Sequence, residues 1–132
     1  LAYGINLDLF GYEISEKFKD PERFDIVIFK YPDDESRLFI KRVIGLPGEV
    51  VEIKDGKVYI DGSPTPLDDS FIPEKMIGSY GPYTVPENSY FMLGDNRNDS
   101  KDSRSWKNKF VRFDQLVGKA IVRYYPSFKW LG

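Results

Sequence analysis

The sequence predicts a single domain that is all-β or mostly β, a coiled sheet with antiparallel hairpins and little helix. The chain has 132 residues, enough for one hydrophobic core but not for two. It contains nine Tyr and ten Phe, and aromatic side chains pack well on a pleated surface. Short apolar runs separated by frequent turn signals are typical of such a domain.

The first half of the chain contains most of the strand signals. Residues 1–20 have glycine interruptions and mixed polarity, which predict a loop or a short irregular helix around 12–18. Two apolar runs follow, Phe24–Phe29 and Leu38–Ile44, and each is closed by a proline or glycine turn signal. Next, Asp55-Gly56 separates VVEIK from KVYID, and Asp-Gly between alternating runs predicts a type I′ hairpin.

The second half is less regular. Residues 63–88 carry five prolines and predict an extended excursion or small insertion with weak strands at best. Ser89–Leu93 and Leu116–Tyr125 are predicted strands, and Phe113–Leu116 is a candidate for one short helical turn.

Composition excludes several classes of function. With 19 basic and 21 acidic residues, the chain lacks the basic excess expected of a nucleic-acid-binding domain. It has no cysteine, hence no disulfide or thiolate zinc site, and no histidine to act as a proton acceptor. No apolar run approaches the ~20 residues that span a bilayer, and the start is unlike a signal peptide.

Lys41 is the first residue with unusual chemistry. It lies in the run Phe39-Ile40-Lys41-Arg42-Val43-Ile44, where alternate side chains share one face of a strand. Lys41 then stands between Phe39 and Val43, and burial there disfavours its charged form. A neutral lysine amine can accept a proton from a hydroxyl nucleophile. The alternative is an ordinary lysine whose ammonium reaches water along an apolar surface.

The second unusual stretch is the polar loop Gly94–Arg104, with the sequence GDNRNDSKDSR. It does not fit a calcium loop, because Ser100 replaces the sixth-position glycine and Trp106 replaces the final glutamate. No metal site and no cofactor are therefore predicted. The loop is either a solvated turn or a rigid element in which an ion pair between Asp102 and Arg104 positions the hydroxyl of Ser100 or Ser103.

Together, FIKRVIGLPG at 39–48 and GDNRNDSKDSR at 94–104 make the chain resemble type I signal peptidases. These are membrane-anchored serine proteases with a Ser–Lys dyad that remove signal peptides from exported proteins. The two motifs occur in the family's order, with the Asp-Gly hairpin directly after the first. The resemblance extends to LAYGIN at the start, RFDIVIFKYP, and VGKAIVRYYP near the end, so it covers nearly the whole chain.

The resemblance implies roles for eight residues. Lys41 would be the general base and Ser100 the hydroxyl that orients its amine, while Asp102 and Arg104 would form a supporting ion pair. Structural roles are implied for Arg42 and Asn96. Phe39 and Ile40 would line the pocket for the small side chain before the scissile bond, beside a backbone that pairs with an extended substrate.

One part of the family pattern does not occur in these residues. The family's nucleophile lies in a Ser-Met-x-Pro motif upstream of the LAYG segment, and no Ser-Met pair is present. Ser15 and Ser36, the serines that precede Lys41, lack the family context. We therefore expect the membrane anchor, the nucleophile and one wall of the substrate groove to lie N-terminal to Leu1, and the 132 residues alone to be inactive.

The resemblance also implies partners and a location: signal peptides of exported preproteins, and a catalytic domain on the extracytoplasmic side of the cell membrane. The aromatic residues near the end could contact the bilayer interface, although ordinary packing is the favoured interpretation. They are Tyr124, Tyr125, Phe128 and Trp130.

Two other functions remain open. A non-catalytic relative could serve as a binding or assembly module, but such a domain has no physical need for Lys41 on an apolar face together with the Ser100 hydroxyl. Self-cleaving repressor-type proteases also use a Ser–Lys pair. They usually carry a helix-turn-helix, which this sequence does not suggest, and the nearly neutral charge also argues against DNA binding.

Overall fold

The structure, a computed structural model, describes the backbone of residues 6–9, 12–15 and 20–122 and the side chains of 20–120. This part of the chain forms ten strands and a 3₁₀ turn at Phe113–Gln115. The strands are β1 (Asn6–Leu9), β2 (Tyr12–Ser15), β3 (Ile26–Tyr31), β4 (Asp34–Gly45), β5 (Val50–Lys54), β6 (Lys57–Ile60), β7 (Tyr80–Thr84), β8 (Ser89–Leu93), β9 (Val111–Arg112) and β10 (Leu116–Val122).

Seven of these strands form one antiparallel sheet in the order β1-β2-β10-β3-β4-β8-β9. The long strand β4 occupies a central position, between β3 and β8. The other three form a smaller antiparallel sheet in the order β6-β5-β7. At the β5–β6 turn, Asp55 and Gly56 have φ angles of 49° and 79°, and positive values at both central positions are what a type I′ turn requires.

Alternation along β3 and β4 divides the hydrophobic core between the two faces of the large sheet. On one face, Val27, Phe29 and Val43 pack with residues of β8, β9 and Trp106. On the other, Ile26 and Ile28 pack with Ala120 of β10. Also packed together are residues from β4, β8 and the small sheet: Ile44, Val51, Ile53, Val58, Met76, Val85, Phe91 and Leu93. The small sheet therefore packs on the β4–β8 end of the large one.

A close approach at Gly45 permits this packing of one sheet on the other. A Cβ atom built at Gly45 would lie 2.6 Å from Val51 Cγ2 and 2.9 Å from Phe91 Cβ. These distances are shorter than Cβ contacts in real proteins, so a glycine is required where β4 ends and the small sheet begins.

The β-rich fold, the strands in the two apolar runs and the Asp-Gly hairpin are confirmed. The predicted loop or helix around 12–18 is wrong for residues 12–15, which form β2 and pair with both β1 and β10. Pairing with two neighbouring strands overrides the weak local preference there. Within 63–88, residues 80–84 form β7, while 63–79 contain no helix or strand. The aromatic residues at 124, 125, 128 and 130 lie outside the described residues, in which no helix is long and apolar enough to cross a bilayer.

Candidate active site

Strand register brings the two sequence motifs together. In the β4–β8 pairing, Arg42 lies opposite Leu93, so β8 ends beside the strand that carries Lys41. The polar loop Gly94–Arg104 begins at that point. Residues separated by more than 50 positions in the sequence therefore become neighbours at one end of the central strand pair.

The amine of Lys41 lies beside the Phe39 ring on one face of β4. Its Nζ atom is 5.6 Å from the centre of the Phe39 ring, and the side chain is half-buried. Burial lowers the pKa of Lys41 below its ordinary value of 10.5, although the nearby carboxylates of Asp102 and Asp95 act in the opposite direction. At a given pH, a larger fraction of Lys41 is therefore neutral than of an exposed lysine.

Ser100 supplies the hydroxyl closest to this chemistry. Lys41 Nζ and Ser100 Oγ are 3.2 Å apart and hydrogen-bonded. Ser103, the other candidate from the sequence, is fully buried, and its Oγ accepts a hydrogen bond from the backbone N–H of Met92 at 2.9 Å. The two serines therefore differ: Ser100 contacts the amine, and Ser103 fastens the loop to β8.

Asp102 and Arg104 form a compact ion pair within the loop. The Arg104 guanidinium donates from Nε and Nη2 to the Asp102 carboxylate at 2.9 and 2.8 Å. The Arg104 side chain is 8% exposed and that of Asp102 is fully buried. Asp102 also accepts from the backbone N–H of Gly94. Burial alone would lower the pKa of Arg104, but its hydrogen bond with Asp102 and the negative charge raise it. The pair is therefore charged, and Asp102 connects the end of the loop to Gly94, its first residue.

Arg42 and Asn96 have partners at the other end of the loop. Arg42 donates to both carboxylate oxygens of Asp95 at 2.8 and 2.6 Å and to the carbonyl of Phe24 at 2.8 Å. The Asn96 side-chain amide lies against the Glu74 carboxylate, with its nitrogen 3.1 and 3.2 Å from the two oxygens. Both residues hold the loop through these contacts.

Phe39 and Ile40 occupy opposite faces of β4. Phe39 stacks on Tyr31, with ring centres 4.3 Å apart, whereas Ile40 packs with the cluster of Ile26, Ile28 and Ala120. The β4 edge beside them is open: β8 pairs with β4 only from Arg42 onward, so residues 34–41 have no partner strand on that side among the described residues.

Three residues in the loop have contacts that the sequence analysis did not assign. They are Asp95, the partner of Arg42; Arg97, which is 1% exposed and bonded to Asp69; and Asn98, which binds the segment 74–77. No local pattern identifies these partners, because each depends on how distant segments meet. Within 20–120, no group of three or more carboxylates could hold a metal ion.

Comparison with known proteins places this geometry in a family. The family described as signal peptidase, peptidase S26, matches residues 5–125. The chain belongs to this signal peptidase family. The residues matched include β4, the polar loop and both sheets.

Several curated relatives of the signal peptidase family are similar in sequence. The probable signal peptidase I-2 of Synechocystis is 43% identical over 92% of this chain and 56% of the relative. Signal peptidase I of Leptolyngbya laminosa is 39% identical over 92% of this chain and 62% of its own length. The chain thus spans about three fifths of the length of these two relatives.

A solved structure confirms the fold class. The crystal structure of a signal peptidase I from Enterococcus faecalis is 35% identical, with a TM-score of 0.66 over 78% of this chain and 98% of that one. The coiled, mostly antiparallel sheet predicted from the sequence is therefore the signal peptidase fold.

Proposed function

We propose that this chain is the catalytic domain of a type I signal peptidase in which Lys41 is the general base. The half-buried amine supports this most directly. Its pKa is lowered by burial, and its nitrogen is hydrogen-bonded to Ser100. Both features favour a neutral amine held in one orientation, as a proton acceptor needs.

In the proposed mechanism, neutral Lys41 accepts the hydroxyl proton of a serine as that oxygen attacks the carbonyl after a small residue. The tetrahedral intermediate collapses when the C–N bond breaks, and the proton passes from Lys41 to the leaving amine. An acyl-enzyme remains. Lys41 then accepts a proton from a water molecule whose oxygen attacks the ester carbonyl. The bond between that carbon and the serine oxygen breaks, and the proton passes from Lys41 to the serine oxygen, which releases the acid and restores both groups.

The nucleophile in this proposal comes from the serine segment of the family, which lies outside the 132 residues. Ser100 remains the hydroxyl that orients the amine. Its place in the polar loop, bonded to Lys41 and followed by the buried Asp102, suits a fixed positioning group. The greater length of the curated relatives leaves room for such a segment.

The substrate would bind along the open edge of β4. In the part of the chain that the structure describes, residues 34–41 offer backbone groups without a partner strand on that side, to which an extended peptide can add as a further strand. Phe39 lies on the Lys41 face of β4 and would border the scissile bond, whereas Ile40 lies on the opposite face and would not line the same pocket. The proposed substrates are signal peptides of exported preproteins, and the proposed location is the extracytoplasmic side of the cell membrane.

The test uses the full-length gene product and a signal-peptide-bearing substrate. Lys41→Met should abolish cleavage, because methionine cannot accept a proton. Lys119→Met is the matched control: Lys119 lies on β10, which β3 separates from β4, is 39% exposed and pairs with Asp25, so its loss should leave the rate unchanged. Wild-type cleavage by the Lys41 variant would contradict the proposal. If the unaltered protein bound signal peptides without cleaving them, the non-catalytic alternative would hold instead.

A further inference from the structure

Ser100 is held from both sides along the chain. On its C-terminal side, the buried ion pair of Asp102 and Arg104 fixes the loop. On its N-terminal side, the loop contacts residues 69–77, which come from the excursion between β6 and β7 of the small sheet. We call these residues the 69–77 segment.

Asn98, two residues before Ser100, makes three hydrogen bonds to the 69–77 segment. Its backbone N–H donates to Glu74 Oε1 at 2.6 Å. Its side-chain oxygen accepts from the backbone N–H of Ile77 at 2.8 Å. Its side-chain nitrogen donates to the carbonyl of Lys75 at 2.7 Å. Three bonds of this geometry leave little freedom for the backbone that leads to Ser100.

A second contact lies one residue earlier. Arg97 is 1% exposed, and its Nη1 donates to Asp69 Oδ2 at 2.7 Å. Its Nε donates to the carbonyl of Gly94, and its own carbonyl accepts from Arg104. The Asp69–Arg97 pair is thus connected by hydrogen bonds to the ion pair on the other side of Ser100.

Apolar packing anchors the segment itself: Met76 belongs to the core cluster with the small sheet, and Ile72 is also buried. A cavity of about 480 Å³ is lined by Asp69, Glu74 and the β5–β6 turn. A second cavity of about 340 Å³ is lined by Ile77, Asn98 and Ser100. The bonds of Arg97 and Asn98 to the segment are polar, so these contacts connect the loop to a segment that the core anchors.

We propose that the 69–77 segment positions Ser100 against Lys41, with Asn98 and Asp69 as the positioning residues that transmit its placement to the loop. This inference rests on the proposed function for its catalytic consequence. The structural consequence, a loop held by these contacts, is independent of it. The excursion between β6 and β7 then has a defined role at the site.

The test combines two measurements on the full-length gene product. Asn98→Ala removes two of the three bonds, and Asp69→Asn removes the charge opposite Arg97 with almost no change in shape. The first measurement is hydrogen exchange of the Asp99 amide, which is bonded to the Asn96 carbonyl at 3.0 Å. We expect exchange to be about 10-fold faster in both variants, because the turn opens more often.

The second measurement is the kinetics of signal-peptide cleavage. In both variants kcat should fall about 10- to 100-fold, the loss expected for a catalytic group misplaced by about 1 Å. KM should stay within about twofold, because the β4 edge is unchanged. Asp68→Asn is the matched control: Asp68 is exposed and bonds only Ser70 in the described residues, so both measurements should keep wild-type values.

Wild-type exchange at Asp99 together with wild-type kcat in both variants would overturn the inference. So would a lower yield of folded protein with unchanged exchange and unchanged kcat per folded molecule. If the unaltered protein cleaves no signal peptide, but exchange of the Asp99 amide is still faster in both variants, the positioning inference stands and the proposed function is rejected.

Discussion

Replacing Arg42 with methionine measures the contribution of the buried ion pair at the start of the polar loop. The Arg42 and Asp95 side chains are 9% and 6% exposed, and their bonds are 2.6 and 2.8 Å long. Removing one member of such a pair leaves an uncompensated charge in the interior, which costs about 3–5 kcal/mol. A domain typically has about 5–15 kcal/mol in total, so this single change should remove a large share of the stability.

The free energy of unfolding should be measured by urea denaturation of the wild type and the variant, with the slope compared to check that unfolding stays two-state. Arg112→Met is the control. Arg112 and Glu35 are 56% and 52% exposed and 3.5 Å apart, and a surface pair of this kind contributes about 0–1 kcal/mol. The double variant Arg42→Met with Asp95→Leu should recover most of the loss, because no unpaired charge remains.

A loss below about 1 kcal/mol for Arg42→Met, similar to the Arg112 control, would refute the reasoning. It would mean that water reaches Asp95 once the guanidinium is gone. Failure of the double variant to recover stability would refute the assignment of the loss to an unpaired charge, and would favour the lost packing of the arginine stem instead.

Four further predictions concern the site and the packing of the sheets. Cleavage by the full-length gene product should increase with pH as Lys41 loses its proton, with a midpoint below 10.5 because burial lowers its pKa; a midpoint at the ordinary lysine value would contradict this. The unfolded state binds more protons at Lys41 over that window, so the free energy of unfolding should also rise with pH there, a dependence that Lys41→Met removes. Ser100→Ala should lower kcat about 10- to 100-fold with KM nearly unchanged, because the amine loses its orienting bond; an equal rise in KM would instead indicate a substrate contact. Gly45→Ala should cost about 1–3 kcal/mol in urea denaturation, because the added methyl meets Val51 and Phe91; an unchanged midpoint would show that the two sheets can separate without cost.

Local patterns in the sequence were sufficient to predict most strands. Alternation around Lys41 correctly assigned Val43 and Ile44 to different clusters, because a period of two holds wherever a strand forms. The same reasoning failed at residues 12–15. These residues form a strand because they pair with β1 on one side and β10 on the other. The local sequence of four residues does not indicate which distant strands they will pair with.

The candidate site shows the same division. Lys41 was recognised because a lysine between apolar residues is a local feature. The choice between Ser100 and Ser103 was open, because two serines three positions apart in a polar loop look equivalent until the loop folds. The partners of Arg42 and Asn98 were missed because their contacts span 53 and 21 to 24 residues.

By itself, the sequence determined the β-rich class, the hairpin at Asp55-Gly56 and the apolar surroundings of one lysine, since each depends on residues within a few positions of one another. The tertiary structure decided which hydroxyl meets that lysine, 59 positions away. The pairing of Arg42 with Leu93 decided this, because strand register determines where the loop after β8 starts. A shift of one residue in that register would turn every side chain of the strand to the other face.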